Sequence, residues 1–171
     1  MIGDRIGDLF SYFITMIMFL ISIFIFIWEF DIIKDDAVKD MTLEFVNECQ
    51  CTGVISPRNY MQFTTKIGSL GNYYAEMQYE SLRSYPEEDN AGNVTGYFRD
   101  YYAYNNQDIL DAMYSDTEQD YEMKVGDKLI VSVRARGTQT SRWVGMVLGD
   151  NNANQLIARR MGTIGNNVLG D

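Results

Sequence analysis

The sequence predicts an α+β fold in which a long N-terminal transmembrane helix continues into a small head, where a three- or four-stranded antiparallel sheet packs on helices. One observation is a run of twenty uncharged residues from Leu9 to Trp28, followed by apolar residues at helical spacing. The other is the alternation of apolar and polar residues in Tyr73–Leu82 and in Lys128–Arg136. Such alternation is typical of strands with one buried face.

The uncharged run has the length of a membrane span, since a helix needs about 20 apolar residues to cross the hydrocarbon core. A cleaved signal peptide ends in small residues, whereas residues 26–30 here read Phe-Ile-Trp-Glu-Phe. A soluble domain of this size is too small to cover a helix that is apolar all round. We therefore expect a single-pass membrane protein.

Three segments are predicted: a transmembrane helix over 1–30, an amphipathic continuation of that helix over 31–53, and an α+β head over 54–171. In the continuation, apolar residues recur in steps of three or four and predict one buried stripe: Phe30, Ile33, Ala37, Met41, Phe45 and Cys49. Oppositely charged side chains at helical spacing are expected to pair as Asp31 with Lys34 and Asp35 with Lys39.

Capping and turn residues divide the head into further elements. Gly53 is expected to end the first helix, and Ser56 followed by Pro57 to begin a second that extends to Leu70. The remaining expectations are a strand over 73–82, a turn-rich 86–96, a strand over 97–104, a helix over 107–114 capped by Asn105 or Asn106, a solvated acidic connection over 116–122, and then a strand over 128–136, a helix over 140–148 and a strand over 155–161.

Charge and composition disfavour several classes of function. The chain has 14 Lys and Arg against 24 Asp and Glu, a net charge of −10, which repels nucleic acid. It has no histidine, the commonest general base and zinc ligand, and its two cysteines are too few for a closed zinc site. We expect no enzyme activity, no metal and no cofactor, and no small-molecule substrate is evident.

Three stretches carry a resemblance to a known family. They are the stretch from Glu44-Phe45-Val46 through Cys51-Thr52-Gly53-Val54-Ile55 to Tyr60 and Phe63, then Gly71-Asn72-Tyr73-Tyr74, then Val125-Gly126-Asp127 leading into Val131 and Val133. Together they resemble the membrane-anchored pilin-like or pseudopilin proteins of tight-adherence (Tad) type pilus loci in Gram-positive bacteria.

This resemblance implies an extracytoplasmic head and an N-terminal helix that packs in a bundle. The implied function is that of a structural subunit or minor pseudopilin of a type IV-like surface filament. Its partners would be the lipid bilayer and other pilin-like subunits, including copies of itself. The alternative is a non-polymerising, membrane-anchored accessory or binding protein of a secretion or conjugation apparatus.

Candidate assembly residues lie along one side of the membrane helix. Ser11, Thr15 and Ser22 share a face, which Asp4 extends toward the N-terminus. Hydroxyls on such a face can hydrogen-bond a neighbouring helix, for about 0.6 kcal/mol each, or bond back to carbonyls of their own helix. Asp4 and Asp8 can stabilise the helix N-terminus or pair with the terminal amine of a neighbour.

The cysteines and tyrosines are the other candidates. Cys49 and Cys51 point about 200° apart on a helix and cannot easily bridge to each other. A disulfide between subunits, or free thiols with Cys49 in the core, remain as alternatives. A tyrosine-rich segment predicts either a contact surface or half-buried strand residues: Tyr97, Tyr101, Tyr102 and Tyr104.

Overall fold

The computed structural model describes residues 2–88, 93–115, 119–136 and 155–165, with side chains from Gly7 onward. Within these ranges the elements follow the order α1 (Ile2–Thr52), β1 (Val54–Ile55), α2 (Pro57–Leu70), β2 (Tyr73–Glu88), β3 (Val94–Tyr104), α3 (Asn106–Tyr114), β4 (Tyr121–Glu122), β5 (Lys128–Ala135) and β6 (Leu156–Thr163). The chain is therefore α+β, as its sequence predicts.

Helix α1 is a single unbroken helix of 51 residues. It is long and apolar enough to span a membrane, and no side chain in its most apolar 18-residue window is buried against the rest of the chain. It ends at Gly53, whose φ of 70° lies in the left-handed region that favours glycine. The Gly53 N–H donates to the Cys49 carbonyl at 2.9 Å and closes the last turn.

The second half of α1 packs against the head through a stripe that differs from the predicted one. Phe45 and Cys49 are buried as expected, but Phe30 and Ile33 are 52% and 63% exposed. The buried stripe lies on a neighbouring side of the helix, where Asp31, Val38 and Thr42 are buried. The prediction was wrong at Phe30 and Ile33 because periodicity locates an apolar face, not the side of the helix that the head covers.

The ion pairs on α1 were predicted with partial success. Lys34 lies 3.7 Å from Asp31, as expected. Lys39 pairs instead with Asp36, at 2.7 Å, because the i,i+3 spacing brings these two together. Asp35 accepts a hydrogen bond from the Tyr73 hydroxyl at 2.8 Å, a contact between α1 and the start of β2.

The head is built on a four-stranded antiparallel sheet with the order β3-β2-β5-β6. Alternate residues of β2 and β5 face the helices and are buried: Tyr73, Ala75, Met77, Tyr79, Leu129, Val131, Val133 and Ala135. Helix α2 adds Phe63 and Ile67 to this core and α3 adds Ile109 and Met113. The predicted packing of the sheet on helices is thus confirmed.

The helix caps follow the predicted positions with one difference in mechanism. Ser56 is the N-cap residue of α2, but its side chain makes no capping hydrogen bond, and Pro57 begins the helix. Asn105, rather than Asn106, caps α3, and it forms a reciprocal capping box with Asp108.

Two predicted connections contain strand residues. Strand β2 extends to Glu88 and β3 begins at Val94, so the ends of the turn-rich segment are paired. Tyr121 and Glu122 form β4, which pairs with β1, so the acidic segment is more than a solvated connection. The predicted helix over 140–148 lies outside the described residues.

Candidate interaction surface

A two-stranded ribbon extends beyond the four-stranded part of the sheet. Strand β5 accompanies β2 only as far as Glu80, whereas β3 pairs with β2 from Tyr79 to Glu88. Beyond Glu80 the two strands continue alone, and we call residues 81–88 and 94–102 the ribbon. Eight residues of strand correspond to about 26 Å.

The ribbon points away from the apolar half of α1. Strand β2 begins beside Asp35, to which the Tyr73 hydroxyl donates. Thr163 of β6 lies level with Glu80 of β2, through Lys128, and its carbonyl accepts from the Gln50 side-chain amide at 2.9 Å. Strand β2 therefore runs in the same direction as α1. If the apolar run lies in a bilayer, the ribbon is the strand segment farthest from it within the described part of the head.

One face of the ribbon carries a row of aromatic rings that begins at Tyr79 and Tyr104 at its base, and we call it the aromatic face. Tyr79 stacks on Tyr104 at 5.6 Å between centroids, and Tyr102 contacts Tyr104 edge to face at 4.9 Å. The Arg83 guanidinium lies 4.8 Å from the Tyr102 ring centre, a cation–π arrangement. Farther out, Tyr85 and Phe98 stack at 5.5 Å.

The opposite face carries two of the four tyrosines singled out in the sequence. Tyr97 is 73% exposed, and Tyr101 lies under the ammonium of Lys128 at 3.7 Å. Tyr102 is exposed on the aromatic face, while Tyr104 is half-buried against the core. The four tyrosines thus belong to two faces rather than to one patch.

The base of the ribbon is held by Asp127, a carboxylate that is only 1% exposed. It accepts hydrogen bonds from the Tyr79 hydroxyl, from the Leu82 N–H at 2.8 Å and from the Lys124 N–H at 3.1 Å. Burial is the main cause of the raised pKa of Tyr79, and the hydrogen bond to Asp127 raises it further. Burial also raises the pKa of the neighbouring Tyr121 to about 12.

The role of the Asp127 side chain was not predicted from the sequence. The available signal was an acidic residue placed between Gly126 and a strongly apolar strand. Gly126 has a φ of 94°, which allows the tight turn that directs the carboxylate inward. The Tyr79 hydroxyl and the Leu82 N–H are distant from Asp127 in sequence, and the Lys124 N–H is a backbone group. No spacing of residue types therefore reveals these contacts.

Two open clefts flank the ribbon base. One, of about 570 Å³, lies between the aromatic face and the segment before β5, with Arg83, Asp120 and Glu122 in its lining. The other, of about 750 Å³, lies on the sheet face turned away from the helices and includes Arg134 and Arg159. In the part of the chain that is described, no three acidic or cysteine side chains are grouped to hold a metal ion.

The candidate assembly residues of α1 whose side chains are described, Asp8, Ser11, Thr15 and Ser22, are exposed. Thr15 donates its hydroxyl to the Ser11 carbonyl at 2.9 Å, and Ser22 donates to the Met18 carbonyl at 2.9 Å. In the single chain these two hydroxyls thus adopt the alternative of bonding back to their own helix. Asp8 is exposed; Asp4 belongs to α1, but its side chain is outside the described part.

The two cysteines lie in different environments. Cys49 is 2% exposed in the core, and Cys51 is exposed; both are free thiols. Burial raises the pKa of Cys49 to about 12, so its thiol stays protonated near neutral pH.

No family model, curated protein or solved structure matches this chain. Its function is therefore inferred from its own geometry. The features that such an inference has to explain are the exposed apolar half of α1, the head built on the other half, and the ribbon beyond it.

Proposed function

We propose that the chain is a pilin-like structural subunit, anchored by α1 in a membrane and assembled with other subunits into a surface filament. The observation that carries this proposal is the continuity of α1. One helix of 51 residues contains both the apolar segment and the surface on which the head folds.

Continuity matters because it fixes the head relative to the span. A helix of this length extends about 77 Å, of which the hydrocarbon core takes about 30 Å. The rest packs against α2, β5 and β6 in the head's own core. Helices that assemble side by side would therefore place their heads in a regular array, which a flexible linker could not do.

Exposed apolar residues beyond the span support assembly. Phe30, Ile32 and Ile33 follow the first acidic residue after Trp28, and each is about half exposed or more. Large apolar side chains outside lipid favour contact with another protein surface. Neighbouring helices in a bundle would cover them.

A second candidate is a non-polymerising, membrane-anchored accessory protein of a secretion or conjugation apparatus. The hydroxyls of Thr15 and Ser22 favour it, because groups satisfied within their own helix need no neighbour and can face lipid. The same head would then bind a single partner complex.

The deciding experiment is to shear intact source cells and to immunoblot the sheared high-molecular-weight material and the membrane fraction for this protein. Filament recovery is the expected result. Retention entirely in membranes, with an integral membrane protein as the fractionation control, would contradict polymerisation and favour the accessory protein.

A further inference from the structure

We propose that the β3 edge of one head pairs with the β6 edge of a neighbouring copy, so that the four-stranded sheets join head to tail along the filament. This inference rests on the proposed filament function and names the contact that the heads make in it. Among the described strands, β3 and β6 are the outer two of the sheet.

The backbone of β3 presents hydrogen-bonding groups to this edge. The Leu82 N–H is directed to Asp127, away from β3, so the residue opposite it, Tyr101, directs its own N–H outward. In an antiparallel pair alternate residues behave alike, which adds Arg99 and Tyr97 to the outward set. The Asp100 carboxylate accepts the Tyr101 N–H at 2.8 Å, in the place that a partner strand's carbonyl would take.

The outward groups of β6 follow from the same alternation. Ala135 donates to the Gln155 carbonyl, so Val133 and Val131 bond to β6 and their partners Ala158 and Arg160 point toward β5. Arg159 and Met161 therefore direct their backbone groups outward. Both side chains are exposed, Met161 by 64%.

Strand direction selects this pairing over a symmetric one. Successive strands in the sheet are antiparallel, so β3 and β6 run in opposite directions. Copies whose α1 helices all point the same way would place β3 beside β6 of the next copy in antiparallel orientation. Antiparallel pairing of β3 with itself would instead require one copy to be inverted, which a common membrane anchor forbids.

Side-chain chemistry selects the register. Placing Arg99 opposite Met161 of the neighbouring copy brings Asp100 opposite its Arg160 and Tyr101 opposite its Arg159. These are an ion pair and a cation–π pair, both favourable across strands. A shift by two residues places Arg99 opposite Arg159, and like charges directly opposite are unfavourable.

The register also requires an axial displacement. Asp100 lies at the level of Arg83 on β2, and Arg160 lies at the level of Met77, through Val131. Six residues of strand separate these levels, so the neighbouring copy is displaced by about 20 Å along the strands. Copies at one height in a membrane cannot make this contact, whereas staggered subunits of a filament can.

Disulfide trapping tests the pairing in the full-length chain. In a Cys51→Ser background we would introduce Arg99→Cys together with Met161→Cys, oxidise intact cells, and compare sheared material with membranes on a non-reducing gel. Directly opposed strand residues lie within disulfide range, so a ladder of multimers is expected in the sheared fraction only. The single-cysteine variants should give dimers at most, and Tyr97→Cys with Met161→Cys, offset by two residues, should cross-link far less.

A charge reversal provides a second measurement that does not depend on cysteines. Asp100→Arg alone should reduce the yield of sheared filaments about fivefold, and Asp100→Arg with Arg160→Asp should restore it. The strand pairing would be overturned if the wild type forms sheared filaments, the double-cysteine variant gives no ladder and the double charge reversal gives no rescue. The filament function would then still stand. Absence of wild-type protein from sheared material would overturn both.

Discussion

At the scale of single residues, Asp127 connects the ribbon to the head. Its carboxylate receives one hydroxyl and two backbone N–H groups while almost fully buried. Removing it leaves three donors without the acceptor that they share. We expect Asp127→Ala to lower the free energy of unfolding by about 3 kcal/mol.

Chemical denaturation of the detergent-solubilised chain measures this effect. Tyr79→Phe, which removes one of the three donors, should cost less, about 1 kcal/mol. Asp120→Ala is the matched control, because Asp120 is exposed. Equal stability of the Asp127 and Asp120 variants would show that the buried network contributes nothing.

We expect the Cys49 thiol to make the free energy of unfolding depend on pH. Its pKa is about 12 in the folded chain against an ordinary value of 9.0, because burial disfavours the thiolate. Above pH 9 the unfolded chain releases this proton and the folded chain retains it, so the free energy of unfolding falls as pH rises toward 12. Below pH 9 the thiol is protonated in both states and contributes no slope.

Unfolding titrations between pH 8 and pH 11 would measure this slope, and Cys49→Ala should reduce it. Alkylation followed by mass spectrometry gives an independent check. The exposed Cys51 should be labelled in the folded chain and Cys49 only after unfolding. Rapid labelling of Cys49 under native conditions would contradict its burial.

At the scale of elements, the polar side of the membrane part of α1 separates the two proposed functions. In a bundle, replacing its three hydroxyl residues with leucine removes interhelical contacts worth about 2 kcal/mol in total. We expect this triple variant, Ser11→Leu, Thr15→Leu and Ser22→Leu, to remain in membranes but to yield fewer sheared filaments. Shearing and membrane fractionation measure both quantities.

The matched control changes three apolar residues on the opposite side of the helix: Phe13→Leu, Leu20→Ile and Ile27→Leu. These substitutions should leave filament yield unchanged. Equal behaviour of the two triple variants would favour lipid-facing hydroxyls and hence the accessory protein.

The extension of β2 shows how pairing overrides local pattern. The alternation of apolar and polar residues stops at Leu82, and Pro86 argues against a strand interior. In the ribbon, however, Pro86 is an even-numbered residue whose missing N–H would face the side where β5 has already ended. The proline therefore costs no ladder bond, and β3 determines the length of β2.

At the scale of the whole molecule, the coupling between span and head can be broken at one position. A proline inside a helix removes a hydrogen bond and kinks the axis, at a cost of about 3 kcal/mol. Phe30 lies between the apolar run and the part of α1 that packs on the head. We expect Phe30→Pro to leave membrane retention and head folding intact but to abolish filament assembly.

Phe30→Ala is its control, because alanine keeps the helix straight while removing the same side chain. Membrane fractionation, protease resistance of the head and filament yield would be compared for both variants. If Phe30→Pro assembles as well as Phe30→Ala, a continuous helix is not needed for the proposed function.

The apolar span, the helix that continues it and the strands with one buried face could all be predicted from local sequence. These follow from local periodicity, since a period of 3.6 or 2 is set by backbone geometry alone. The limits of α2 were also predictable, because proline is favoured at the first helical position, as at Pro57, and glycine, as at Gly71, is a poor helix former.

The contacts between these elements could not be predicted in this way, because they depend on the packing of the folded chain. The burial of Val38 and Thr42 rather than Phe30 and Ile33 depends on which side of α1 the head covers. The ribbon exists because β3 continues to pair with β2 beyond the residue at which β5 ends. The role of Asp127 depends on hydrogen-bond donors that lie 45 and 48 positions away in the chain. Contacts at such separations leave no periodic trace in a sequence, because they are set by packing rather than by the local backbone.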